Sequence, residues 1–144
     1  MKLNETGHRA LELREGLRLK PYLDTQGVPT IAMGNTFYLD GKKVTMLDKP
    51  LTLNEAKTLA RSVADIFANK VDYLVTSNIN QNQFNALVSL AYNIGIYGFR
   101  NSTVLKLVNK NPNDPMIRQA FMMWTKNKEL IGRRKSEVNQ YFSL

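Results

Sequence analysis

Hydrophobic and polar positions change rhythm twice along this 144-residue chain. Leu3, Gly7, Ala10, Leu11, Arg14 and Leu17 recur at roughly helical spacing, with Asn4 or Thr6 placed to cap the first turn. A helix is therefore expected to end near Glu15. From Leu19 to Val44 the pattern shortens to extended runs broken at Thr25-Gln26-Gly27 and at Asp40-Gly41, the second a two-residue hairpin signal. Thr52-Leu53-Asn54-Glu55 has the form of a capping box, in which hydroxyl and carboxylate satisfy free backbone donors at a helix start. Beyond it Leu59, Val63, Ile66, Lys70 and Leu74 fall near one side of a helix reaching about Val75. Further helices are expected over 81–93, 103–110, 115–125 and 130–141, with Asn111-Pro112-Asn113-Asp114-Pro115 supplying a stop and a new start. The order of helix, small antiparallel sheet and helical body reads as α+β. No repeat, low-complexity tract or linker divides it. A single domain over 1–144 is expected, with a sheet part at about 16–50 and a helical part at about 51–144 plus the first helix.

Composition narrows the chemistry more than the fold. Hydrophobic residues make up 43% and charged residues 22%, as in a folded globular domain. No stretch approaches the ~18 uninterrupted apolar residues that span a membrane, so no membrane insertion is expected. Met1 to Arg9 are polar and lack the apolar core of a secretory signal, which points to synthesis in a cytoplasm. There is no cysteine and His8 is the one histidine, which removes thiol nucleophiles and Ser–His or Cys–His pairs and argues against a zinc site. His8 itself reads as a helix surface or partly buried residue.

The formal charge of +8 asks for an acidic partner. Its densest basic group is Lys126, Lys128, Arg133, Arg134 and Lys135, which by itself reads as a solvated basic helix face. Nucleic acid has only the net charge in its favour and no motif, so no nucleic-acid partner is expected.

Residues 15 to 36 hold the candidate chemistry. Glu15, Asp24 and Thr30 stand among residues that turn the backbone: Gly16 can end a helix, Pro21 cannot continue one, and Gly27 with Pro29 marks a tight turn. A helix ending at Glu15 and followed by a hairpin would set Asp24 and Thr30 opposite it. Hydrolysis of a glycosidic bond needs such a set: one carboxylic acid to protonate the leaving oxygen and one carboxylate to prepare water. Each residue also has an ordinary reading. Glu15 could be an exposed acid paired with Arg14, Arg18 or Lys20, Asp24 a turn former, and Thr30 a strand residue.

The segment resembles the catalytic stretch of the phage-type lysozymes, glycoside hydrolase family 24, whose pattern runs Glu-Gly, Tyr-x-Asp and Gly-x-x-Thr-Ile-Gly-x-Gly. Here these are Glu15-Gly16, Tyr22-Leu23-Asp24 and Gly27-Val28-Pro29-Thr30-Ile31-Ala32-Met33-Gly34. Asp24 follows Glu15 by nine residues and Thr30 by fifteen, as in the family. Ala32 departs from the usual Gly, adding a methyl group where backbone is expected to approach closely. Residues 81–95, with Phe99, Ser102, Thr103 and Leu105, are similar to the family's second signature. Ala120, Phe121, Trp124, Leu130, Arg133, Arg134 and Glu137 match its C-terminal pattern, with Glu129 where Gly is common. The likeness covers roughly residues 8 to 142.

The resemblance implies a lysozyme-like α+β fold with a catalytic cleft between a small antiparallel sheet lobe and a larger helical lobe. It implies cleavage of the β-1,4 bond between N-acetylmuramic acid and N-acetylglucosamine by inversion, with Glu15 as proton donor and Asp24 and Thr30 holding the attacking water. Tyr22, Asn35 and Thr36 are candidates to border the substrate. Phe84, Tyr92, Phe99, Phe121 and Trp124 read as helical core, Gln83 and Asn93 as cleft-lining or capping residues, and Arg133 or Arg134 as electrostatic support for the site. Neither metal nor organic cofactor is expected, because two carboxylates suffice. The expected partner of a monomer is bacterial peptidoglycan, whose anionic surface suits a basic protein. The chain would reach it from the host cytoplasm through a holin pore. The rival reading is a lysozyme-like module that binds cell wall without cutting it.

Overall fold

The computed structural model describes residues 1–144. Helix α1 (Glu5–Glu15) starts at Asn4, whose side-chain oxygen accepts from the Gly7 amide at 2.9 Å. Of the two caps the sequence offers, Asn4 is the one used. The helix stops at Gly16, which takes φ 80° and returns its amide to the Glu12 carbonyl at 2.9 Å. Glycine is the residue that adopts this left-handed conformation without a Cβ penalty. Gly7 serves a different purpose: a Cβ there would lie 2.5 Å from Asn85 Oδ1, so the glycine permits close packing.

Strands β1 (Arg18–Leu23) and β2 (Pro29–Ala32) pair antiparallel, Tyr22 opposite Thr30 and Leu23 opposite Pro29, with an irregularity between Arg18 and Tyr22. The extended runs expected as far as Val44 contract to isolated bridges, Ile31 with Asn35 and Phe37 with Lys43. The cause is local. Ala32 at φ 58° and Gly34 at φ 84° swing the chain round immediately after β2, leaving no straight segment to pair. The Asp40-Gly41 turn does form, closed by Tyr38 N–H donating to Lys42 O at 2.9 Å and Gly41 N–H to Tyr38 O at 3.0 Å. The loop beyond is held by Asp48, whose carboxylate accepts from Thr45 N–H at 2.8 Å, Thr45 hydroxyl at 2.6 Å and Tyr38 hydroxyl at 2.7 Å.

Helix α2 (Leu53–Leu74) begins at the expected capping box: Thr52 N–H donates to Glu55 Oε1 at 2.9 Å and Glu55 N–H to Thr52 Oγ1 at 3.2 Å. Its buried stripe differs from the expected one. Ala56, Leu59, Ala60, Ala64, Ala68 and Val71 face inward, whereas Ile66 is 52% exposed. Small residues let neighbouring elements approach closely, so the alanines and not the bulkier side chains mark the core face. Helix α3 (Gln81–Ile94) opens with a second capping box, Asn80 with Gln83, which assigns Gln83 to capping. Helix α4 (Ile96–Arg100) is a single short turn, followed by α5 (Thr103–Lys110), α6 (Ile117–Met122) and α7 (Lys128–Tyr141). No helix is long and apolar enough to cross a membrane.

Two compact units emerge. One comprises Arg9–Ala64 and the other Met1–His8 with Asp65–Leu144. The first buries Leu11, Ile31, Met33, Val44 and Leu59. The second buries Phe84, Leu87, Leu90, Phe99, Val108, Ile117, Phe121 and Tyr141. Phe84, Phe99 and Phe121 are core as expected, while Tyr92 and Trp124 are only half-buried. His8 is buried, with Nε2 3.2 Å from Asp65 Oδ1.

Candidate active site

Glu15, Asp24 and Thr30 all belong to the unit formed by Arg9–Ala64. Glu15 is the last residue of α1, half-buried, with its Oε2 shielded from solvent. Asp24 follows β1 at the tight turn. Its Oδ1 accepts from the Gln26 amide at 2.9 Å and the Val28 amide at 2.8 Å, and its own amide donates to Val28 O at 3.0 Å. Asp24 thus forms the turn, the ordinary use of the residue, with one carboxylate oxygen. Neither of those side-chain bonds uses Oδ2.

Thr30 lies on β2 and is 2% exposed. Its hydroxyl donates to Val28 O at 2.7 Å. A hydroxyl has one hydrogen, so with that hydrogen committed the oxygen is left as an acceptor. The turn therefore leaves two acceptors, Asp24 Oδ2 and Thr30 Oγ1, on residues anchored to the same Val28. A strand register alone would not have revealed Val28 as the common anchor, because the bonds are made by its backbone.

The flanking candidates divide. Tyr22, opposite Thr30 in the sheet, is half-buried, and the Arg18 guanidinium lies 4.3 Å from its ring centre. Asn35, expected beside substrate, has an internal task. It is buried, its Oδ1 accepts from Met33 N–H at 3.1 Å, and its Nδ2 donates to Leu59 O at 3.4 Å. Each end of the amide makes one bond, Oδ1 to the turn after β2 and Nδ2 to α2, so Asn35 ties that turn to the helix. Thr36 gives its carbonyl to the Val44 amide at 2.9 Å.

Arg133 and Arg134 sit in the other unit and are not a solvated face. Arg134 and Glu137 are both 0% exposed. Arg134 donates to Trp124 O at 2.9 Å, to Asn93 Oδ1 and to Glu137 Oε1. Arg133 donates to Glu137 Oε2 at 3.2 Å and to Ser89 O at 3.1 Å, and the Ser89 hydroxyl meets Glu137 Oε2 at 2.5 Å. The charge of Glu137 is therefore matched and its oxygens satisfied, the condition under which a buried ion pair is tolerated. Ser89 of α3 and Glu137 of α7 pair across the two helices, 48 residues apart in sequence, a separation that local spacing does not reveal.

The phage lysozyme family model matches residues 12–137. This chain belongs to the phage lysozyme family. Among its relatives the endolysin of Salmonella phage P22 is 35% identical, covering 99% of each chain. Among solved structures the endolysin from Escherichia coli O157:H7 phage FAHEc1 superimposes with a TM-score of 0.90 at 32% identity, over 99% of this chain and 94% of that one. The muramidase domain of SpmX from Asticaccaulis excentricus gives 0.83 at 31% identity, over 99% of each. The α+β architecture is thus that of the phage lysozyme family, and Ala32 acquires a conformational meaning within it. Where the family pattern has glycine this chain has a left-handed backbone, φ 58°, with an alanine.

Proposed function

We propose that this chain is a muramidase that hydrolyses the β-1,4 bond between N-acetylmuramic acid and N-acetylglucosamine in bacterial peptidoglycan, by single displacement with inversion. Glu15 is the proton donor to the leaving oxygen. Asp24 and Thr30 hold the attacking water. The bonding at Val28 is the observation that supports this division of labour. A water placed against Asp24 Oδ2 and Thr30 Oγ1 meets two acceptors, so it donates both hydrogens and turns its lone pairs outward. That is the orientation a nucleophilic water needs, and Asp24 is the base that takes its proton as the new C–O bond forms. Tyr22 is proposed to border the substrate. The protein acts as a monomer, and it reaches the wall after release from the host cytoplasm through a pore made by another protein.

The reading is tested by digesting defined peptidoglycan in heavy-oxygen water. Mass spectrometry should place the label on the new reducing end of N-acetylmuramic acid, and proton NMR at early times should show the α-anomer first. Binding to wall without release of reducing sugar would favour the non-catalytic module. An initial β-anomer, or a glycosyl adduct on Asp24, would make Asp24 the nucleophile of a retaining enzyme.

A further inference from the structure

On the unit that contains α3 to α7, a cleft of about 280 Å³ is lined by Asn69, Lys70, Tyr73 and Leu74 of α2 and by Ile96 and Arg100 of α4. Its surroundings place tyrosine rings in solvent. Tyr73 is 83% exposed, and Tyr97, between the two α4 residues of the lining, is 80% exposed. Lys70 and Arg100 are exposed, and neither takes part in an ion pair. The residues three and four positions from Lys70 on α2 are Ile66, Phe67, Tyr73 and Leu74, so the helix offers it no acid. Asp72, the acid nearest in sequence, is engaged by the Met1 ammonium at 2.6 Å.

An aromatic face in water beside two uncompensated cations suits one kind of ligand: a sugar ring that also bears carboxylates. The apolar face of a pyranose packs on a phenol ring by dispersion and burial, and carboxylate oxygens take charge-assisted hydrogen bonds from ammonium and guanidinium groups. The exposed Asn69 amide adds a donor and an acceptor that match an N-acetyl group. We propose that this cleft is a second, non-catalytic binding site for the peptidoglycan strand, taking an N-acetylated sugar on Tyr73 and a stem-peptide carboxylate between Lys70 and Arg100. The proposal rests on peptidoglycan being the substrate and adds a tether to it. A polymer held at one site raises the effective concentration of its own glycosidic bonds at another.

The test is sedimentation with insoluble sacculi, measured on the Glu15→Gln background, together with initial rates of the Glu15 enzyme on a soluble, peptide-free tetrasaccharide. Lys70→Gln with Arg100→Gln should weaken sedimentation at least about fivefold, as should Tyr73→Ser, while Tyr73→Phe keeps it. Rates on the tetrasaccharide should not change. Lys106→Gln with Lys110→Gln removes the same charge from α5 and should change sedimentation by less than about twofold. Amidating the sacculus carboxylates should erase the difference between the two double variants. Equal weakening by both double variants would reduce the effect to net charge and overturn the site, and so would unchanged sedimentation of Tyr73→Ser. Loss of single-stranded DNA binding in Lys70→Gln/Arg100→Gln with undiminished sedimentation would overturn it in favour of a nucleic-acid surface. Cleft-dependent sedimentation by a protein that releases no reducing ends would uphold the second site and sink the catalytic reading.

Discussion

Asp24 and Thr30 are fastened to opposite ends of one residue: the Val28 amide donates to Asp24 Oδ1 at 2.8 Å and the Val28 carbonyl accepts from the Thr30 hydroxyl at 2.7 Å. The carboxylate and the hydroxyl are thus spaced by backbone covalent geometry, which a change of side-chain rotamer elsewhere does not disturb. For Thr30→Val, which keeps the shape and loses the oxygen, lysis of purified walls should fall about a hundredfold. Stability should change by only about 1 kcal/mol, because Val28 O still accepts from the Asp24 amide. Thr30→Ser restores the acceptor and should recover most of the rate. Wild-type lysis by folded Thr30→Val would remove the hydroxyl from the mechanism.

Glu15→Gln preserves size and takes away the transferable proton. Turbidity clearing should drop by at least about a hundredfold with the thermal midpoint nearly unchanged. A folded variant that lyses walls normally would exclude Glu15 as the acid.

The loop after β2 should titrate at both ends of the pH scale. Burial first, then the hydrogen bond to Asp48 and the charges of Asp48 and Asp40, push the Tyr38 phenol up to about 12. The folded state then holds a proton that an unfolded tyrosine releases near ~10. This contribution is complete below that value and is lost as pH rises towards 12. The Thr45 hydroxyl, followed by the Thr45 amide and Tyr38, holds the Asp48 carboxyl below its ordinary value. Its contribution is present above the ordinary carboxylate range and lost as pH falls through the folded value. Urea melts across pH should show Tyr38→Phe lessening the alkaline loss and Asp48→Asn the acidic one. Some alkaline loss should persist, because burial also raises the Tyr141 phenol. Identical profiles for wild type and both variants would mean the loop does not report on folding.

Ala32 separates two explanations of the position where the family pattern has glycine. At φ 58° alanine is strained, whereas a β-branched residue is a severe outlier. Ala32→Val should therefore destabilise by about 2 kcal/mol or more. Ala32→Gly should stay within about 1 kcal/mol, since relief of strain offsets the lost buried methyl and the greater freedom of the unfolded chain. Equal effects of the two in calorimetry would argue that crowding alone governs the position.

What the sequence made legible was whatever depends on neighbours along the chain. Thr52 and Glu55 announce the start of α2, Gly16 the end of α1, and Asn111 to Pro115 the break before α6, because each acts on backbone within a few residues. The short α4 escaped, since five residues between Gly95 and Asn101 are too few to show a period. The alanine face of α2 escaped because close approach, not side-chain size, selects it. Glu15, Asp24 and Thr30 are candidates by motif, but the anchoring role of Val28 is hidden in backbone bonds. Arg134 reads as part of a solvated stripe, because five basic residues outnumber Glu129 and Glu137 between positions 126 and 137, and burial depends on the packing of α7.

The unit that carries α3 to α7 is assembled from residues 1–8 and 65–144, while residues 9–64 form the other unit between those segments. On a ribosome the enclosed unit is complete while α7 is still unmade, and Gly7 waits for Asn85. The Glu137 that pairs with Arg133 and Arg134 emerges near the end of synthesis. A nascent chain therefore has its candidate catalytic residues early and the partner of its buried arginine late, so premature termination before residue 137 should yield a protein that quality-control proteases recognise rather than a smaller enzyme.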